Sequence, residues 1–140
     1  MPIEYQIDHV QRRVVTACRG ALTETDFRAY QQDVWSRPDV AGYDELVDMT
    51  EAGEVLAATG EKLKLLAAVS AAMDARETPS KFAIVAPRAG LYGLGRMYAT
   101  WRGLQSRSTK QVEVFKTMSE ALAWLGSPVA VASSVPPPNR

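Results

Sequence analysis

Hydrophobic and polar positions change period along this chain, and each change marks an element. Ile3, Tyr5 and Ile7 alternate with Glu4, Gln6 and Asp8, the period of a half-buried strand. His9 to Arg12 is polar and reads as a turn. Arg13 to Arg19 carries Val14, Val15 and Ala17, a second strand that pairs with the first as a hairpin and ends at Gly20. Thr23-Glu24-Thr25-Asp26 has the form of a capping box, with Asp in the place of the usual Glu. Phe27, Tyr30 and Val34 then share one helical face, and Pro38 stops the helix.

Tyr43 to Met49, around Leu46-Val47, reads as a third strand, and Gly53 to Thr59 as a connection. From Gly60 to about Glu77 the apolar positions Leu63, Leu65, Leu66, Val69, Ala72 and Met73 form a wide stripe, which predicts a mostly covered helix ended by Thr78-Pro79. Phe82 to Ala86 is a continuous apolar run, as in a central strand covered on both faces. Ala89 to about Leu104 places Leu91, Leu94, Tyr98 and Trp101 on one face of a third helix. Gln111 to Phe115 alternates as a fifth strand. Thr117-Met118-Ser119-Glu120 is a capping box for a short last helix with Leu122 and Leu125 inward and Gly126 at C′. The order β-β-α-β-α-β-α-β-α predicts a single α/β domain with a mixed, mostly parallel five-stranded sheet and about four helices. Residues 1–126 make the folded unit. Residues 127–140, with Ser133-Ser134 and Pro136-Pro137-Pro138, read as an extended Pro/Ser-rich tail.

Composition narrows the chemistry. Sixteen basic and sixteen acidic side chains leave no net charge, so nothing is in excess to neutralise phosphates and nucleic acid is not an expected partner. The same neutrality removes one barrier to self-association, and an apolar patch on the edge strand or third helix would favour a homodimer, so the oligomeric state is left open. There is one Cys, Cys18, and one His, His9. A Cys/His zinc site takes about four ligands, so no metal is expected, and no motif requires a cofactor. Leu63 to Met73, the most apolar stretch, is broken by Lys64 and Ser70 and too short to span a bilayer. The first residues have no secretory pattern, and the expected location is cytoplasmic.

Several residues still carry candidate chemistry. His9 is the only imidazole for a catalytic triad, and no G-x-S-x-G is present, so it is expected to be a solvated turn residue. Cys18 lies inside a strand and reads as a small buried apolar residue. Gly90, Gly93 and Gly95 form no complete nucleotide fingerprint and read as close packing of a helix on the sheet. Arg88 lies between a central strand and a helix N-terminus, with Arg96 two turns on and Tyr92 between them. Asp48 lies near the end of the third strand, where open α/β sheets place ligands. These four make a candidate site for a small anionic ligand. The acids Asp44, Glu45, Asp48, Glu51 and Glu54 allow a hydrolase-type reading as an alternative. Thr59 is a plausible N-cap for the second helix. Phosphorylation there would add nearly two negative charges at a helix N-terminus and switch a partner.

Six stretches, in this order, resemble a known family: Met1-Pro2-Ile3-Glu4-Tyr5, Gly20-Ala21-Leu22-Thr23, Tyr43-Asp44-Glu45-Leu46-Val47-Asp48, Tyr92-Gly93-Leu94-Gly95-Arg96-Met97-Tyr98, Val112-Glu113-Val114-Phe115 and Glu120-Ala121-Leu122-Ala123-Trp124-Leu125. The span Pro2 to Gly126 resembles the SpoIIAA-like branch of the STAS superfamily, small bacterial proteins related in fold to anti-sigma-factor antagonists. The resemblance implies a mixed sheet with helices, and partner or ligand binding rather than catalysis. Antagonists carry a phosphorylatable Ser or Thr in an Asp-Ser-x-Gly-like turn. Aligning on Gly60 puts Ala57 and Ala58 where that Asp and Ser belong, so Thr59 is an imperfect substitute and the departure counts against a phospho-switched antagonist. The branch also resembles Sec14-type lipid-binding folds, although 126 residues leave little room for a lipid-sized cavity. The expectation is a non-enzymatic, regulatory module that binds a protein or a small anionic or lipid-like ligand.

Overall fold

The computed structural model describes residues 2–55, 59–75, 78–105 and 108–127. The strands are β1 (Ile3–Asp8), β2 (Arg13–Leu22), β3 (Asp44–Val55), β4 (Ser80–Val85) and β5 (Lys110–Phe115). The helices are α1 (Glu24–Trp35), α2 (Gly60–Ala72), α3 (Ala89–Gly103) and α4 (Met118–Leu125), and a 3-10 turn spans Pro38–Val40. The five strands lie side by side in chain order. β1 and β2 are antiparallel, and every later neighbour is parallel. The expected α/β class and mixed sheet are therefore what the chain forms.

Strand parity decides which helices cover which face. On β4, Phe82 and Ile84 join a core with Leu91 and Tyr98 of α3, while Ala83 and Val85 join Ala121 and Leu125 of α4. All six residues of β4 are buried, which explains its unbroken apolar run. Val14 of β2 packs with Tyr30, Val34 and Trp35 of α1 on the α3 side.

The N-caps form as the local chemistry requires. Thr23 accepts from the Asp26 N–H at 3.2 Å, and the Asp26 carboxylate accepts from the Thr23 N–H at 2.8 Å. Thr59 and Thr117 cap α2 and α4 by accepting one N–H each, and at Thr117 the expected box is incomplete because the Glu120 carboxylate accepts from the Thr117 hydroxyl rather than its N–H.

Five boundaries depart from expectation, the first being α2, which closes at Ala72 rather than near Glu77. Gly20 does not end β2: it takes φ +66° as an irregularity in the ladder, and pairing resumes to Leu22↔Val55. β3 accordingly runs past Met49 to Val55. Gly53 is needed there because a Cβ would stand 3.2 Å from the Gly20 carbonyl carbon. Pro38 does not end α1; it opens the 3-10 turn after the helix has closed at Ser36. Gly126 is right-handed, φ −76°, as the C-cap rather than a left-handed C′ residue.

α2 is also less covered than its apolar stripe predicts. It packs on α3 and α1 rather than down onto the strands, and it buries only Ala67, Ser70 and Ala71, while Leu65 is 57% exposed. Past Gly126, the Ser127 carbonyl and hydroxyl accept from Lys81 Nζ at 2.5 and 2.7 Å. The rest of the expected tail, 128–140, and Ala57-Ala58 lie outside the described residues.

Candidate ligand-binding cavity

Because α2 rests on its neighbouring helices, space remains beneath it. A partly open cavity of about 90 Å³ lies between the sheet and α1, α2 and α3. Its walls are mainly apolar, among them Val47 and Met49 of β3, Leu63 and Leu66 of α2, and Leu91 and Leu94 of α3. Gly95 brings α3 close to the sheet at one side: a Cβ there would stand 3.2 Å from Val114 Cγ1.

One end of the cavity is polar. Tyr30 donates its hydroxyl proton to Glu45 Oε2 at 2.8 Å and accepts from Trp35 Nε1 at 3.2 Å. The Tyr30 hydroxyl has a single proton and gives it to Glu45, so Thr16 Oγ1, 2.9 Å away, is the donor to Tyr30. Lys110 Nζ donates to Glu45 Oε1 at 2.9 Å and lies 3.2 Å over the Trp35 ring. Behind them, Arg102 donates to the Tyr98 hydroxyl at 2.6 Å and pairs with Asp74 at 2.5 Å. The Asp74 carboxylate also accepts from the Thr109 N–H at 3.0 Å.

Burial sets the electrostatics. It pushes the Tyr30 hydroxyl well above its ordinary value, with the Glu45 charge adding to the effect. It pulls the Lys110 ammonium down, against the opposing pull of Glu45. It pushes the Cys18 thiol, 1% exposed on the cavity wall, up to about 12, so the group stays protonated and weakly nucleophilic at neutral pH.

The residues singled out from sequence lie elsewhere. Arg88, Tyr92 and Arg96 follow one another at i, i+4 and i+8 along α3. Arg88 is at the N-cap position and donates to the Gly53 carbonyl at 3.0 Å. Tyr92 is half-buried, with Lys116 Nζ 5.2 Å from its ring centre, and Arg96 is exposed. Strand alternation sets Asp48 on the face of Leu46, which packs toward α4, whereas Tyr92 packs against the α3-side core. Asp48 holds the Thr50 N–H at 2.9 Å and the Thr50 hydroxyl at 2.5 Å. The acid group disperses in the same way: Glu45 points inward, Asp44 accepts from the Lys81 N–H at 2.8 Å, and Glu51 lies 3.7 Å from Arg19. Among the described residues, no three of His, Cys, Asp or Glu converge as metal ligands. Thr59 accepts from the Lys62 N–H at 3.2 Å. His9 is exposed in its turn and bonds the Tyr43 hydroxyl at 2.7 Å.

Sequence reasoning passed over Tyr30, Gln31 and Lys110 as site residues. It grouped Glu45 with the acids of the hydrolase-type alternative. One signal was available: Glu45 shares strand parity with Tyr43, Val47 and Met49, so it faces the core and needs a buried partner.

No protein-family model and no curated protein matches the chain. Among solved structures it is similar to an uncharacterised protein of the DUF3478 family, with a SpoIIAA-like fold, from Shewanella loihica PV-4. The identity is 16%, the TM-score is 0.57, and the match covers 88% of this chain and 93% of that one. The chain thus has the SpoIIAA-like fold, as its sequence motifs led us to expect.

Proposed function

We propose that this protein is a non-enzymatic binding module that takes a small, largely apolar ligand in the cavity beneath α2. The observation that carries the reading is the cavity itself. Protein interiors are packed like organic crystals, and voids larger than a water are few. Here about 90 Å³ remains unfilled between the sheet and α1, α2 and α3, with mainly apolar walls. An engineered apolar cavity of about 150 Å³ accepts benzene, so this one suits a body of roughly four heavy atoms. The available nucleophiles and bases do not favour catalysis: Cys18 is held protonated and His9 lies in an exposed turn.

The test is a titration of the full-length protein with 1-chlorobutane, followed by amide shifts in two-dimensional NMR. Saturable shifts centred on Val47, Met49, Leu66 and Leu91 are expected. Shifts that never saturate, or that spread evenly over the surface, would sink the reading. Turnover of simple phosphoesters, carboxylic esters or nucleotides by the purified protein would overturn its non-enzymatic half.

A further inference from the structure

We infer that the cavity selects neutral ligands bearing one hydrogen-bonding group, and that the Gln31 side-chain amide reads that group. The inference rests on the binding reading above and adds the ligand's chemistry to it.

Charge is the first consideration. The two cations near the polar end are paired, Lys110 with Glu45 and Arg102 with Asp74; Arg102 Nε has no partner, but neither Lys110 nor Arg102 is among the residues that line the cavity. Both Glu45 oxygens are engaged, one by Lys110 and one by Tyr30. A carboxylate or phosphate entering here would meet no free cation, and an ammonium no free carboxylate. A buried charge without a partner is strongly disfavoured.

Hydrogen-bonding capacity is the second. The Tyr30 hydroxyl has spent its proton on Glu45 and accepts from both Trp35 and Thr16, so it has nothing left to offer. Gln31 is different. It lines the cavity at 6% exposure, and among the described residues its amide makes no hydrogen bond to the protein. The amide presents two N–H donors and a carbonyl acceptor. Ser70, 1% exposed on the wall contributed by α2, approaches the Tyr98 hydroxyl without a hydrogen bond of normal geometry. Ser70 Oγ, buried without a partner, stands to gain from a ligand hydroxyl or amide, because an unmade buried hydrogen bond is costly, and the Gln31 amide, not fully buried, trades contact with water for contact with the ligand.

A series that places the same four-carbon body in the cavity tests this: butan-1-ol and butylammonium, the isosteric pair butanamide and butanoate, and 1-chlorobutane as the apolar reference. Each is titrated into the full-length protein with NMR detection. Butan-1-ol and butanamide are expected to bind, to shift the Gln31 side-chain NH₂ signals, and to exceed both ions at least tenfold in affinity. In a Gln31→Leu variant, butanamide is expected to weaken about tenfold while 1-chlorobutane binds as well or better. Ser70→Ala is a second, milder variant, expected to reduce butanamide binding without affecting 1-chlorobutane. Equal binding of butanoate or butylammonium and butan-1-ol would overturn the selectivity and leave the cavity reading intact. So would an unchanged butanamide preference in Gln31→Leu. Failure of all five probes, 1-chlorobutane included, would remove both.

Discussion

Lys110 and Glu45, 65 residues apart, meet as a buried ion pair at 2.9 Å across the interior strand β4. The ammonium joins the first residue of β5 to the second of β3, with the Trp35 ring closing over it. Removing one partner of such a pair leaves an uncompensated charge in the interior. Lys110→Met is therefore expected to cost about 3–5 kcal/mol of stability. The double variant Glu45→Gln/Lys110→Met should recover much of that loss, since glutamine still accepts from Tyr30. Urea unfolding measures both. A loss below about 1 kcal/mol for the single variant would mean that the pair behaves like a solvated one.

Alkaline stability should carry the mark of Cys18. Its thiol ionises near 9.0 when unfolded but is held protonated to about 12 in the fold. Between those values the native state binds the extra proton, so stability falls as pH rises. The contribution is about 1 kcal/mol per pH unit across that window, and Cys18→Ala should remove it. Lys110 has the opposite sign, because its lowered value makes the unfolded chain the better proton binder. The comparison that isolates the thiol is therefore the difference in slope between the parent and Cys18→Ala. A thiol reagent at neutral pH should react only as fast as the protein opens.

The glycines of α3 should separate sharply. A Cβ at Gly93 meets nothing within 4 Å, whereas at Gly95 it would press on Val114. Gly93→Ala is expected to stabilise the protein by about 0.5–1 kcal/mol, the gain of replacing glycine in a helix interior. Gly95→Val should destabilise it by driving α3 away from β5. Thermal unfolding of the two variants gives the contrast, and equal effects would count against the described α3 packing.

Filling the cavity should raise stability and remove binding together. Empty core volume costs about 24 cal/mol per Å³ in large-to-small series, or roughly 2 kcal/mol for a space of this size. Leu66→Phe, which projects into that space, should recover part of this, about 1 kcal/mol, and abolish saturable binding of 1-chlorobutane. A variant that bound the probe as before would show that the ligand sits elsewhere.

Much of the fold could be read from local chemistry. Thr23, Thr59 and Thr117 each lie one residue before a helix, and each caps it. The unbroken run of β4 gave away its cover on both faces, although β3 and not β4 is the middle strand. The lengths of β2 and β3 could not be read in this way, because Gly20 and Gly53 look like punctuation until the two strands are seen to approach at those residues. The cavity was still less visible. It follows from how far α2 stands from the sheet, a distance set by α1 and α3 together, which no stripe of leucines reveals. The polar end depends on Glu45, Lys110 and Tyr30 meeting from three elements, although the inward parity of Glu45 required some such partner.

The strict spatial order of the five strands has a consequence for assembly during synthesis. No strand is inserted between two already placed; each new one joins the edge left by the last. The sheet can grow from β1 toward β5 as the chain emerges, with connections short enough to keep loop closure inexpensive. The Lys110 to Glu45 bond, which spans 65 residues, and the Thr109 to Asp74 bond beside it wait for the last strand. Until β5 arrives, Glu45 and Asp74 have no such partners, and the final strand acts as the latch of the domain.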